Sequence, residues 1–138
     1  LPTRDAVLPI VALLVLARAK GLAVSGLLGE LPARYTASDR IQNIPTQVSQ
    51  ARLASLQESP AEQCRLTVES AFGPICGAVS HIDWTDGLRI THAGDEIIHL
   101  RPSGNAPEMR CYTEAASVER ATTINAQALA VLGGWLGA

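Results

Sequence analysis

The stretch Glu96-Ile-Ile-His-Leu-Arg-Pro-Ser-Gly-Asn-Ala-Pro-Glu-Met-Arg-Cys-Tyr-Thr-Glu-Ala115 decides the fold of this chain. Residues 96–100 and 109–115 are rich in β-branched, aromatic and apolar side chains, and a turn-forming segment separates them. The pattern predicts strand, loop, strand. In the first strand Ile98 and Leu100 should face the core, while Ile97, His99 and Arg101 share the opposite face. His99 is expected to be a surface strand residue.

Working upstream, Ala78 to Asp83 and Gly87 to Thr91 read as two further strands joined through Trp84-Thr85-Asp86, with Asp86-Gly87 as the reversal. Asp86 therefore reads as a turn residue and not as half of an acid–base pair with Asp83. His92-Ala-Gly-Asp95 is the next turn, and Arg89 is expected to be structural. Downstream, Ser117 is a candidate N-cap with Glu119 in the first turn of a closing helix. Val118, Ala121, Ile124, Ala128, Val131 and Trp135 form its apolar stripe, Trp135 being a core plug, and Gly133-Gly134 should weaken its end. That stripe should lie across the sheet these strands form.

The joining segment, Arg101-Pro-Ser-Gly-Asn-Ala-Pro-Glu-Met-Arg110, carries the chemistry. Ser103, Gly104 and Asn105 are turn formers, and successive N–H groups in such a turn make a concavity that suits an anion. Arg101 enters the turn and Arg110 leaves it, and a guanidinium fork matches phosphate oxygens in pairs. One arginine at a strand end would imply a surface ion pair. Two of them flanking Ser-Gly-Asn imply a loop that holds a phosphate without acting on it.

The earlier part of the chain is helical in texture. Ala6 to Ala17 is an apolar run, with Thr3 or Asp5 as its cap, Pro9 tolerable near the first turn and Gly21 as its stop. Ser25 looks like the cap of a shorter helix through Leu27, Leu28 and Leu31, ended by Pro32. The run imitates a signal peptide, but Asp5 and Pro9 interrupt that pattern, and it is far short of the ~20 apolar residues of a membrane span. The start at Leu1, in place of Met, predicts a piece of a longer protein. Arg40 to Ile44 reads as a short strand and Pro45-Thr46 as the entry to a helix reaching about Leu56. Glu58-Ser-Pro60 breaks it, and Ala61 to Gly77 is ambiguous because Gly73-Pro74 signals a turn.

At 138 residues, 47% hydrophobic and 17% charged, the chain can bury a core, and its net charge of −2 argues against a nucleic-acid partner. Cys64, Cys76 and Cys111 have no close-spaced pair, which predicts buried, inert thiols in a reducing compartment. With His81, His92 and His99 they lack the ligand spacing of a zinc site.

Asp86-Gly-Leu-Arg-Ile90, Ile98-His-Leu-Arg-Pro-Ser-Gly-Asn-Ala-Pro-Glu-Met-Arg110 and Tyr112-Thr-Glu-Ala115 together resemble the C-terminal domain of the α-D-phosphohexomutases, most closely the bacterial phosphomannomutase/phosphoglucomutase type. Arg4-Asp-Ala-Val-Leu-Pro, Leu31-Pro-Ala-Arg-Tyr and Ser38-Asp-Arg-Ile-Gln look like the end of that family's third domain and its hinge into the fourth. The resemblance implies a TATA-binding-protein-like α+β domain over 36–138, preceded at 1–35 by helices closing a sugar-binding α/β domain. Carried over by position, Arg101, Ser103, Gly104, Asn105 and Arg110 would hold the substrate phosphate that is not transferred. The family's usual Thr-Glu after the glycine is Asn105-Ala106 here, and Asn keeps both a donor and an acceptor.

It also implies a cytoplasmic enzyme that interconverts hexose 1- and 6-phosphates with Mg2+, a phosphomannomutase first and a phosphoglucomutase or dual-specificity mutase second. The phosphoserine, the metal-binding aspartates and the sugar-recognition loop would lie in the missing N-terminal domains, so this part alone is expected to be inactive. The expected partners are a hexose phosphate and those domains, with no nucleic acid and no membrane. From a different class, the chain could be a stand-alone binding module, or an oligomerisation module using Val7 to Leu16. The strands lack an aromatic pair for stacking RNA bases.

Overall fold

The computed structural model describes residues 6–136. The chain divides into two compact units, Leu1–Ala33 and Arg34–Ala138.

The first unit holds helix α1, Val7–Lys20, and a 3-10 helix, Val24–Glu30. Pro9 falls in the first turn of α1, where its missing N–H costs nothing. Gly21 ends the helix at φ 66°, the left-handed conformation that glycine adopts freely, and its N–H caps Ala17 and Arg18 carbonyls. The proposed caps Thr3 and Asp5 lie outside the described residues. Ser25 does not cap the second helix. It lies inside it, and Ala23 precedes the helix without a side-chain bond. Of the described α1 side chains only Ala17 is buried; Val7, Leu8, Ile10 and Leu14 are more than half exposed. Among the described residues no single helix is long and apolar enough to cross a membrane; α1 and the 3-10 helix together have the length but bend by 78°.

The second unit is an antiparallel sheet of five strands, β1 Tyr35–Gln42, β2 Val79–Asp83, β3 Leu88–His92, β4 Ile97–Pro102 and β5 Glu108–Ala115, in the order β1-β5-β4-β3-β2. Helices α2 Thr46–Gln57, α3 Ala61–Cys76 and α4 Val118–Leu136 pack on one of its faces. The core there comprises Leu88, Ile90, Ile98, Leu100, Met109 and Cys111 from the strands, met by Leu53, Val68, Phe72, Ile124 and Leu132 from the helices. The α+β reading therefore holds.

Several local expectations are corrected. Strand β1 starts at Tyr35, well before Arg40, and stops before Ile44. It is an edge strand whose full length pairs with β5, so pairing and not alternation defines it. The stretch from Ala61 to Cys76 is one helix despite Gly73-Pro74. Pro74 sits in its last turn and forfeits one bond, while Cys64, Val68 and Phe72, four apart, bury a common stripe. Ile97 is buried although it stands on the face away from the helices. In α4, Ala121, Ile124 and Ala128 are fully buried as expected, Val118 is exposed, and Leu132 joins the core unannounced. Ser117 does cap α4: its Oγ accepts the Arg120 N–H at 3.1 Å.

Buried polar groups join α4 to the sheet. Asn125 Nδ2 donates to the Cys111 carbonyl at 3.0 Å, and Thr113 Oγ1 donates to the Ala121 carbonyl at 2.8 Å. Arg120 forks onto both oxygens of Glu96, each at 2.6 Å, and also donates to the Ile75 carbonyl at 2.8 Å, at the end of α3. The Arg120 hydrogen bond, chiefly, holds the Glu96 carboxyl below its usual 4.5. A carboxylate with a depressed folded value adds stability above its unfolded value and loses it as pH falls through the folded one. Glu96→Gln should therefore flatten the acid limb of a plot of urea midpoint against pH, below about pH 5. Parallel curves for the two proteins would mean that Glu96 contributes no such term.

The thiols are free and suit inert roles: Cys64 and Cys111 are buried and Cys76 half-buried. Burial pushes Cys76 and Cys111 up to about 12.

Candidate functional site

The β4–β5 loop occupies residues 103–107 and stands at one end of the sheet. It is closed at its base by Ser103 N–H on the Glu108 carbonyl at 3.0 Å. Inside it the Ser103 hydroxyl is buried and accepts two bonds at 3.4 Å, from the Asn105 N–H and from Arg110 Nη2. Three of the expected residues, Ser103, Asn105 and Arg110, thus converge on one oxygen. The N–H groups of Gly104 and Ala106 meet no acceptor among the described residues, and unpaired backbone N–H groups seek an anion or water.

Gly104 is not forced by backbone geometry. Its φ lies outside the left-handed region, and a Cβ there would meet nothing within 4 Å. Any need for glycine at this position comes from what approaches the loop from outside.

Arg101 stands directly opposite Arg110 across the β4–β5 pair. Its Nε lies 3.0 Å from Asp86 Oδ1, so it makes the strand-end ion pair that a single arginine would imply. With both side chains about half exposed, that pair is worth little and can rearrange. Asp86 itself comes from the β2–β3 reversal, where Gly87 adopts φ 90° and packs against the Leu100 and Arg101 backbone. The Asp86 carbonyl accepts His99 Nε2–H. His99 also lies 5.7 Å from the Tyr112 ring, centroid to centroid, so it is more tied down than a bare surface residue. Arg89 bonds Glu114 at 3.1 Å and is structural.

Two participants escaped the sequence. Glu108, at the foot of the loop, is buried, and its Oε1 accepts from Arg110 Nε at 2.9 Å. Arg40 from β1 approaches the other oxygen, Nε to Oε2 at 3.3 Å. Hydrogen bonding to Glu108, first of all, raises Arg110 above its usual range, so it remains a permanent cation. Beside these groups lies a polar hollow of about 410 Å³ lined by Ser38, Asp39, Arg40, Arg110 and Tyr112. Ser38, Asp39 and Arg40 belong to a strand whose register against β5 no local pattern reveals.

Among the described residues no three His, Cys, Asp or Glu side chains converge on a point that could hold a metal ion. His92 is buried with Nδ1 2.8 Å from the Gly77 carbonyl, to which it donates. The site offers hydrogen-bond donors and the positive charge of Arg101 and Arg110.

The family model for the phosphoglucomutase/phosphomannomutase C-terminal domain matches residues 66–131. A protein of Sinorhizobium fredii (strain NBRC 101917 / NGR234) named phosphomannomutase is 45% identical over 132 residues, 96% of this chain and 27% of the relative. One of Salmonella muenchen with the same name is 44% identical over 128 residues, 90% of this chain and 24% of the relative. The chain thus spans about a quarter of the length of the curated relatives it matches.

Proposed function

We propose that this chain, which belongs to the phosphoglucomutase/phosphomannomutase family through its C-terminal domain, forms the phosphate grip of a phosphohexomutase. The observation that carries the reading is that the Asn105 N–H and Arg110 both donate to the buried Ser103 hydroxyl, while the Gly104 and Ala106 N–H groups meet no acceptor among the described residues. Arg101, Ser103, Gly104, Asn105 and Arg110 would hold the phosphate that stays on the sugar. Arg101 would do so by releasing the exposed carboxylate of Asp86, which a phosphate dianion outcompetes for a guanidinium fork.

In the whole enzyme a phosphoryl group would pass between a serine of an earlier domain and a free hydroxyl of a hexose phosphate, giving a bisphosphate that turns over and returns its other phosphate. A grip that must accept both the 1- and the 6-phosphate has to read phosphate geometry and ignore the carbon bearing it. Amides and arginines do this, because they contact only oxygens. Mg2+ would neutralise charge in that transfer, held by residues of the earlier domains. Residues 1–35 would close the third domain and 36–138 form the fourth, a division supported by the separation of Leu1–Ala33 from Arg34–Ala138. Both relatives bear the name phosphomannomutase, which favours mannose as the sugar. The enzyme would work in the cytoplasm.

Calorimetric titration tests this. Mannose 1-phosphate, mannose 6-phosphate and glucose 6-phosphate should bind within a few-fold of one another, and free mannose should give no heat. Arg110→Ala should weaken the phosphates at least about tenfold, the loss of a charge-assisted fork. Equal binding of free and phosphorylated sugar would contradict a phosphate grip.

A further inference from the structure

The pairing of β1, β5 and β4 creates an arrangement that ordinary sheets avoid. Arg40 stands opposite Arg110, and Arg110 stands opposite Arg101, so three arginines form a row across three adjacent strands. Like charges directly opposite one another in a sheet repel. Two carboxylates relieve the row. Asp86 takes Arg101, while the single buried Glu108 serves both Arg40 and Arg110. Three arginines against two carboxylates leave one positive charge on the row, and the hollow that Arg40 and Arg110 line together also takes in Asp39, which balances that charge without pairing with either guanidinium.

The geometry of the Glu108 contacts says which donors remain. Arg40 approaches the carboxylate through Nε, and its two terminal nitrogens meet no partner among the described residues. The Asp39 carboxylate accepts the Arg40 backbone N–H at 2.8 Å, and this fixes it at the rim. Arg110 reaches Glu108 on one side and the Ser103 hydroxyl on the other, so it joins the loop to the hollow.

We infer that Arg40 is a third arginine of the phosphate site, aligned with Arg110 by Glu108, and that the site extends from the loop across β5 to the edge strand. The inference rests on the phosphate reading above. Its ligand is the same phosphorylated hexose, whose phosphate oxygens on the far side of Arg110 are taken by the terminal nitrogens of Arg40. The Tyr112 and Ser38 hydroxyls, which also line the hollow, are left for polar groups near that phosphate.

Arg40→Gln, Arg40→Lys and Arg110→Ala, titrated calorimetrically with inorganic phosphate and mannose 6-phosphate, test it. Side-chain NMR of the arginine Nε–H groups in the unmodified chain provides a readout that needs no variant to fold. The expected results are a roughly tenfold weaker affinity for Arg40→Gln, an intermediate loss for Arg40→Lys, which keeps the charge without the fork, and a shift of the Arg40 Nε–H on adding phosphate. A merely structural Arg40 would alter the melting temperature and leave affinity and the Nε–H signal unchanged. That result, with Arg110→Ala still weakening binding at least about tenfold, overturns the inference and leaves the loop grip standing. Absence of phosphate binding in the unmodified chain overturns both.

Discussion

Phe72→Ala is expected to lower the unfolding free energy by about 3–5 kcal/mol, the cost of truncating a fully enclosed aromatic side chain. Phe72 has no exposed surface, and it meets Trp135 edge-on with centroids 5.5 Å apart and planes at 86°. Such a pair contributes beyond its buried area. The Arg52 guanidinium lies 4.7 Å from the centroid of the same Trp135 ring, so residues of α2, α3 and α4 meet at this one point. Removing the Phe72 ring empties the centre of the helical layer and leaves Trp135 without its aromatic partner. For a domain with typical stability of about 5–15 kcal/mol, the loss leaves a marginal fold. Urea denaturation measures it. A loss under about 1 kcal/mol would show that the layer collapses around the gap or that α3 packs differently.

Gly87→Ala should be nearly as costly, at more than about 2 kcal/mol, for two reasons that add. The position has φ 90°, which an L side chain resists, and a Cβ there would lie 2.4 Å from the Leu100 carbonyl oxygen. Backbone on both sides must shift. Because the same reversal carries Asp86 to Arg101 and His99, the shift should reach the loop and weaken phosphate binding, although Gly87 does not line it. Gly104→Ala provides the contrast. With open space around it and no left-handed φ, it should change stability by under about 0.5 kcal/mol while reducing phosphate affinity. If Gly87→Ala melts like the unmodified chain, the close approach of the two strand ends is wrong.

What the sequence disclosed follows from how local each signal was. The Asp86-Gly87 reversal, the His92–Asp95 turn and the Ser117 cap are each written within a few residues, and all three appear where expected. Helix α3 was obscured because Gly73-Pro74 is a local stop signal, whereas the packing that overrides it is tertiary. Strand β1 was only partly legible: as an edge strand it buries little beyond Ala37 and Ile41, so its residues carry no strong alternation. The loop residues were legible because turn formers and flanking arginines stand together in the chain. Arg40 and Glu108 were not, since their ion pair exists only through the β1–β5 register, which joins the first strand of the domain to the last. The Arg101–Asp86 pair shows the reverse case: both residues were singled out, but their contact depends on where the reversal lands.

The central claim is that the loop after β4 binds phosphate, and an amide-resolved NMR titration with mannose 1-phosphate, repeated on Arg101→Ala, tests it most directly. Shifts concentrated at Ser103, Gly104, Asn105 and the neighbourhood of Arg110, and lost in the variant, are the predicted result. Shifts scattered elsewhere on the domain, or unchanged by the substitution, would contradict it.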